Sequence, residues 1–248
     1  MKFPTALAAL LLGAIPLFAE PVTFESDETP VSLIELFSSE GCSSCPAADA
    51  WVSALKTSPD LWRKFVPVVF HVDYWDRLGW PDQFATAANT ARQRHYAAAW
   101  NNRSVYTPGF VVNGREWRGW NPRSTLPAPP SGKVGRLRLT LREDDAEVSF
   151  VPSGSGTGSA PQIAEVALLG GDIETDVKRG ENSGRKLRHD FTVLHFASAP
   201  LRQADGRFTT IIPLSTKGSA APVAIAAWIT TADSQPPIQA TGGWLKAR

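Results

Sequence analysis

Cys42 and Cys45 are the only cysteines of the 248-residue chain, and they stand in the run Cys-Ser-Ser-Cys-Pro. Two intervening residues let the sulfurs meet across one helical turn. A bridge closing so small a loop restrains the unfolded chain little. A chain that uses cysteine as a staple carries several, set far apart. The pair is therefore read as chemical. Ser38-Ser-Glu-Gly41 before it is loop-forming, and Pro46 suits the first turn of a helix. Cys42 then lies at a helix N-terminus, where unpaired backbone N–H groups and the helix dipole favour a thiolate. In such motifs thiol pKa values fall from about 8.5 to about 3.5–7.5. Cys42 is expected to be accessible and to attack a substrate disulfide. Cys45, one turn inside, is expected to be shielded and to resolve the mixed disulfide. Ser43 and Ser44 add no charge, so the direction of electron flow is not written there.

Elements that could hold this pair are legible on both sides. Val31–Phe37 reads as a buried strand, and Ala48, Trp51, Val52 and Leu55 recur at helical spacing until Pro59. Phe65–Val72 reads as a second strand, with Pro67 at its start or on an irregular edge. Phe84, Ala88, Ala91, His95 and Ala98 mark one face of a helix opened by Pro81-Asp82. Asn113-Gly114 signals a type I′ hairpin between two strands. The order is β-α-β-α-β-β, and with the cysteine motif at its first helix residues 31–120 resemble a thioredoxin-like domain. In that layout the loop at Thr107-Pro108 lies beside the Cys-x-x-Cys helix. A proline there, commonly cis at a cost of about 0.5–1 kcal/mol, leaves the preceding backbone free to pair with an extended peptide. Thr107 and Pro108 are the expected substrate-binding residues.

Residues 121–133 hold four prolines and read as a linker. Beyond it the pattern changes to short strands at Arg136–Leu141, Glu147–Val151, Ile163–Leu169, Asp172–Lys178, Phe191–Phe196, Arg207–Leu214 and Val223–Thr231. That spacing predicts an all-β, sandwich-like domain over 134–248.

The wording of the first half is more specific than its element order. Glu35-Leu-Phe-Ser-Ser-Glu-Gly-Cys-Ser-Ser-Cys-Pro-Ala-Ala-Asp49, His71-Val-Asp-Tyr-Trp-Asp-Arg-Leu-Gly-Trp80, Arg92-Gln93, Tyr106-Thr-Pro108 and Val177–Arg185 together resemble an exported bacterial family, domain of unknown function 1223. The resemblance spans nearly all of the chain after its N-terminal segment. It implies a thioredoxin-like fold with an added β-domain and supplies no substrate. Thioredoxin carries a buried acid on the strand before its motif, which makes Glu35 the candidate proton acceptor for Cys45; an exposed or paired strand-end carboxylate is the commoner role for a glutamate. The loop from Glu35 to Cys42 is one residue longer than in thioredoxin. A thioredoxin also closes with a C-terminal helix, for which the proline-rich stretch after Trp120 leaves little room.

Other residues have plainer readings. His71 and Asp73 share one face of the second strand, where His71 could tune the thiolate; a hydrogen-bonded core histidine is the ordinary alternative. His95, His189 and His195 read as packing or structural. Seven of nine tryptophans fall between residues 51 and 120, and most read as core filling. Arg92 and Arg94 read as a solvated or carboxylate-paired helix face, and Arg179–Arg185 as a salt-bridged turn.

Lys and Arg number 25 against 24 Asp and Glu, a formal net charge of +1. That balance gives no field to attract nucleic acid. Lys2 followed by a short apolar run to Phe18 reads as a signal peptide over 1–19, with residues 20–30 as an extended leader. No later stretch is apolar for long enough to span a membrane. The expectation is an exported protein, periplasmic or secreted. It needs no cofactor or metal and exchanges disulfides with a disulfide-containing or dithiol protein or peptide and with a redox partner. Two alternatives remain: a copper-delivery-like protein holding soft metal with Cys42, Cys45 and His71, and a non-enzymatic binding protein.

Overall fold

The computed structural model describes residues 21–154, 162–214, 223–231 and 236–245. The expected signal peptide lies outside them. Residues 20–30, read as a leader, contain a strand, β1 (Val22–Glu25), whose residues alternate in exposure. The next elements are β2 (Ser32–Ser38), α1 (Cys45–Ala54), β3 (Phe65–His71), α2 (Ala87–Ala99), β4 (Gly109–Val112) and β5 (Arg115–Glu116). β2 and β3 are parallel, and β4 is antiparallel to β2. Every residue of β2 and β3 is buried, as expected of strands covered on both faces. α2 begins later than Pro81-Asp82 suggested. Thr86 is its N-cap and accepts a hydrogen bond from the Asn89 N–H, which leaves Asp82 free for another partner. Asn113 and Gly114 both take positive φ, 50° and 73°, the conformation a type I′ turn requires.

The chain continues through β6 (Gly135–Leu141), β7 (Asp145–Pro152), β8 (Gln162–Gly170), β9 (Ile173–Asp176), β10 (Lys186–His189), β11 (Thr192–Pro200), β12 (Arg202–Ala204), β13 (Arg207–Pro213), β14 (Ala224–Thr231) and β15 (Pro237–Trp244). These strands do not keep to themselves. A five-stranded sheet runs β1-β6-β7-β13-β12, so the leader strand joins it, and an eight-stranded sheet runs β15-β14-β8-β11-β3-β2-β4-β5. The eight-stranded sheet crosses the proline-rich stretch: the Val69 N–H donates to the Phe191 carbonyl at 2.9 Å, and β11 lies parallel to β3 with Thr192 opposite Val69. Segments 31–120 and 134–248, expected as separate domains, thus share one sheet. The stretch between them is irregular and lies against the first, with the Trp51 indole N–H on the Ser124 carbonyl at 3.1 Å.

Alternation along the strands sets the layers. Ser38 on β2 reaches Asp49 of α1, whereas Glu35 reaches Arg92 and Tyr96 of α2. An odd separation along a strand means opposite faces, so the two helices cover opposite faces of the sheet. Ala164, Val166 and Leu168 of β8, with Ile225, Ala227 and Ile229 of β14, form a second core with Leu137, Leu139, Val148 and Phe150 of the five-stranded sheet. Ala167, Leu169 and Trp228, on the other face, belong to the core of the helical half.

Candidate functional site

Cys42 and Cys45 form a disulfide at the start of α1. Ser44 occupies the N-cap position and Pro46 the first turn. The Cys42 N–H donates to the Ser39 carbonyl at 3.1 Å and the Cys45 N–H to the Cys42 carbonyl at 3.2 Å. These turns wrap the loop onto the helix end, and the Ser44 hydroxyl lies 3.3 Å from the Cys42 sulfur.

One expectation fails here. Cys42 is no more accessible than Cys45; both have 0% exposure, while Ser43 and Ser44 between them are exposed. The turn between β9 and β10 binds this loop. Asn182, itself fully buried, donates its side-chain amide to the carbonyls of Glu40 and Cys42 at 2.8 and 2.9 Å. Arg185 fixes the other end of that amide, donating to Oδ1 at 2.8 Å. Glu181 accepts from the Ser43 N–H at 3.1 Å and from its hydroxyl at 2.6 Å, and these bonds hold its carboxyl below the usual range. The segment read as a salt-bridged turn is a clasp over the cysteine loop.

Thr107 and Pro108 are tied to the same loop through Trp75. The Trp75 indole N–H donates to the Thr107 hydroxyl at 2.8 Å. A Cβ at Gly41 would stand 3.0 Å from the Trp75 Cβ, so Gly41 is where this ring can approach the loop. The Thr107–Pro108 bond is cis. Gln93 donates to the Tyr106 carbonyl at 2.7 Å and accepts from the Tyr74 hydroxyl at 3.2 Å. The Thr107 backbone N–H and C=O have no backbone partner among the described residues.

Glu35 points the other way. It accepts from Arg92 Nε at 2.7 Å and from the Tyr96 hydroxyl on the α2 face. Burial raises its carboxyl, and Arg92 and Tyr96 oppose that only in part. A residue on the face opposite α1 cannot serve as the proton acceptor expected for Cys45.

The face that α1 covers holds a buried polar cluster instead. Ser38, Glu40, Asp49, His71, Asp82 and His189 are all less than a tenth exposed. His71 Nδ1 lies 2.6 Å from Asp82 Oδ2. Burial opposes the imidazolium, but the charge and hydrogen bond of Asp82, with the charges of Asp49 and Glu40, carry its pKa up to about 9. Asp82 also accepts from the N–H groups of Glu40 and Phe84 at 2.8 and 2.9 Å. Burial pushes Asp82 up, and His71 with these N–H groups brings it below its ordinary value. His189 lies with its ring centre 5.1 Å from that of His71. Its Nε2 is 3.2 Å from Glu40 Oε1 without hydrogen-bond alignment, and Glu40 Oε2 accepts from the Trp80 indole at 2.7 Å. His71 therefore has a carboxylate partner, and His189, read as structural, stands beside it. Among the described residues no group of three or more His, Cys, Asp or Glu side chains is arranged to hold a metal ion. Asp49, Asp82, Glu40 and Asn182 were not given a role at the site by the sequence. Asp49 carried one signal: an acid on the apolar stripe of a helix, in step with Cys45 and Val52.

Two solved structures are similar to this fold. A crystallised protein from Agrobacterium tumefaciens matches with a TM-score of 0.63 at 24% identity, over 90% of this chain and 98% of its own. The HBP35 protein of Porphyromonas gingivalis matches with a TM-score of 0.60 at 18% identity, over 90% of this chain and 78% of its own. At these identities the likeness is one of fold alone. No curated protein compared with the chain is similar to it. A family model described as "Protein of unknown function (DUF1223)" matches residues 33–230, the span that holds the cysteine loop, its clasp and most of the shared sheet, and the chain belongs to that family.

Proposed function

We propose that this protein is an exported thiol–disulfide oxidoreductase, with a thioredoxin-like arrangement over residues 31–120, acting on protein or small-molecule disulfides. The observation that carries this reading is the Cys42–Cys45 disulfide at the first turn of α1, joined through Trp75 to the Thr107–Pro108 loop. The parallel β2–β3 pair, the antiparallel β4 and the helices on opposite faces are consistent with it.

In the reduced chain Cys42, as thiolate, attacks a substrate disulfide, forms a mixed disulfide and releases one substrate thiol. Cys45 then attacks the Cys42 sulfur, closes the internal disulfide and releases the second thiol. Two electrons pass from the cysteine pair to the substrate, and the reverse sequence oxidises a substrate dithiol. The unpartnered backbone at Thr107 offers an N–H and a C=O to an extended peptide. Both sulfurs are buried and the clasp bonds the loop that carries Cys42, so exchange is expected to begin with Glu181 and Asn182 releasing that loop.

A Cys45→Ser chain, reduced and mixed with disulfide-bearing proteins of the cell envelope, should accumulate mixed disulfides through Cys42. Failure to trap any thiol, with Cys42 inert to alkylation in the reduced chain, refutes the reading. The reduction potential assigns direction: a value near thioredoxin's, about −270 mV, marks a reductase, and one near −120 mV an oxidant.

A further inference from the structure

We propose that Asp49 is the proton acceptor for Cys45, an assignment that rests on the exchange chemistry above. α1 turns Cys45, Ala48, Asp49 and Val52 inward. Residues four apart on a helix have Cβ atoms about 5–6 Å apart on one face. Helical side chains also lean toward the N-terminus, so the Asp49 carboxyl leans toward the turn that holds Cys45. Among the described residues no lysine or arginine forms an ion pair with it. Its hydrogen-bond partner is the Ser38 hydroxyl, which donates to Oδ1 at 2.8 Å.

The charged and titratable groups around it come from four elements. His71 comes from the end of β3, His189 from β10, Asp82 from the loop before α2, and Glu40 from the cysteine loop. Burial raises the Asp49 carboxyl, while His71, His189 and Ser38 oppose that rise and Asp82 adds to it. The net effect is an acid raised from its ordinary value, better matched to a thiol than a solvated aspartate is. His71 Nε2 and both His189 ring nitrogens are buried without a hydrogen-bond partner.

The step balances. With Cys42 in a mixed disulfide, the Asp49 carboxylate takes the Cys45 thiol proton. The Cys45 thiolate then bonds to the Cys42 sulfur as the bond from Cys42 to the substrate breaks. The substrate leaves as a thiolate and takes up the proton, which restores the Asp49 carboxylate.

The test uses the reduced full-length chain and glutathione disulfide. Cys45→Ser should stop as a Cys42–glutathione adduct, and the unaltered chain should pass through it. In Asp49→Asn the adduct should persist, its resolution slowed about tenfold or more at pH 7. The inflection of its pH–rate profile should move up toward that of an unassisted thiol, about 8.5. Ser38→Ala should move the inflection upward by a smaller step, because it removes a hydrogen bond that favours the carboxylate. If Cys45→Ser holds the adduct but Asp49→Asn resolves it with the unaltered profile, the role of Asp49 is overturned and exchange stands. If Cys45→Ser forms no adduct, exchange itself falls and the assignment with it. Should Asp49→Asn not fold, an unchanged profile in Ser38→Ala overturns the assignment.

Discussion

Arg92 is enclosed by four rings. Its guanidinium carbon lies between 5.2 and 5.6 Å from the centres of Phe70, Tyr96, Phe196 and Trp228. It donates to Glu35 on β2 and, at 2.6 Å, to Glu165 on β8. One cation thus pairs with two buried acids from opposite halves of the larger sheet. Removing one member of such a group leaves uncompensated charge in a low-dielectric interior. Arg92→Met should cost about 3–5 kcal/mol, read as a lower urea midpoint. Adding Glu35→Gln and Glu165→Gln should restore most of the loss, since the orphaned charges are then gone. His71 makes a prediction of different form. Its folded pKa is raised to about 9, so its contribution is fully present below the unfolded value near 6.5 and is lost as pH rises through about 9. At 1.36 kcal/mol per unit the change amounts to roughly 3 kcal/mol. Unfolding free energies measured across this window should fall for the unaltered chain and fall less for His71→Gln. The Asp82 end runs the other way: its lowered carboxyl contributes above its unfolded pKa and loses that contribution as pH falls through the folded value.

Among the elements, the turn between β9 and β10 ties down the loop that carries Cys42. Asn182→Ala removes two hydrogen bonds to the loop that carries Cys42. Reduction of the disulfide by dithiothreitol should quicken several-fold, while stability drops by about 1–3 kcal/mol for the unpaired carbonyls. An unchanged reduction rate would show that the clasp does not limit entry. The elements differ in how far sequence reveals them. The cysteine helix, the flanking strands and the Asn113-Gly114 turn are local patterns, and local patterns are written in spacing and turn chemistry. β15 is harder to read because Gln239, Thr241, Gly242 and Gly243 leave it no apolar run; Trp62 and Phe24 press on the two glycines. The clasp is invisible for another reason. Glu181 and Ser43 are 138 residues apart, and a loop of mixed polarity says nothing about which distant backbone it will bind. Glu35 misleads for a third reason: its strand and burial are legible, but the face it takes depends on Arg92 and Glu165, a partnership set by tertiary packing.

At the scale of the whole molecule, the proline-rich stretch 121–133 suggests a hinge between units, yet the strands on its two sides meet edge to edge at β3 and β11. β1 adds a second tie, since it precedes the cysteine half in sequence and pairs with β6 beyond the stretch. A fragment ending near residue 120 would present the β3 edge and the Arg92 side of the Phe70 and Tyr96 rings to solvent. Such an edge templates association with other chains. The fragment should be recovered as aggregate or fail to show a cooperative transition, whereas the full chain melts as one unit; differential scanning calorimetry of the two separates the cases. The same edge-to-edge join limits how this chemistry can travel between proteins. The cysteine-bearing half is not a cassette that recombination could lift out and graft elsewhere, because the strand that seals its flank is encoded some 120 residues downstream of β3.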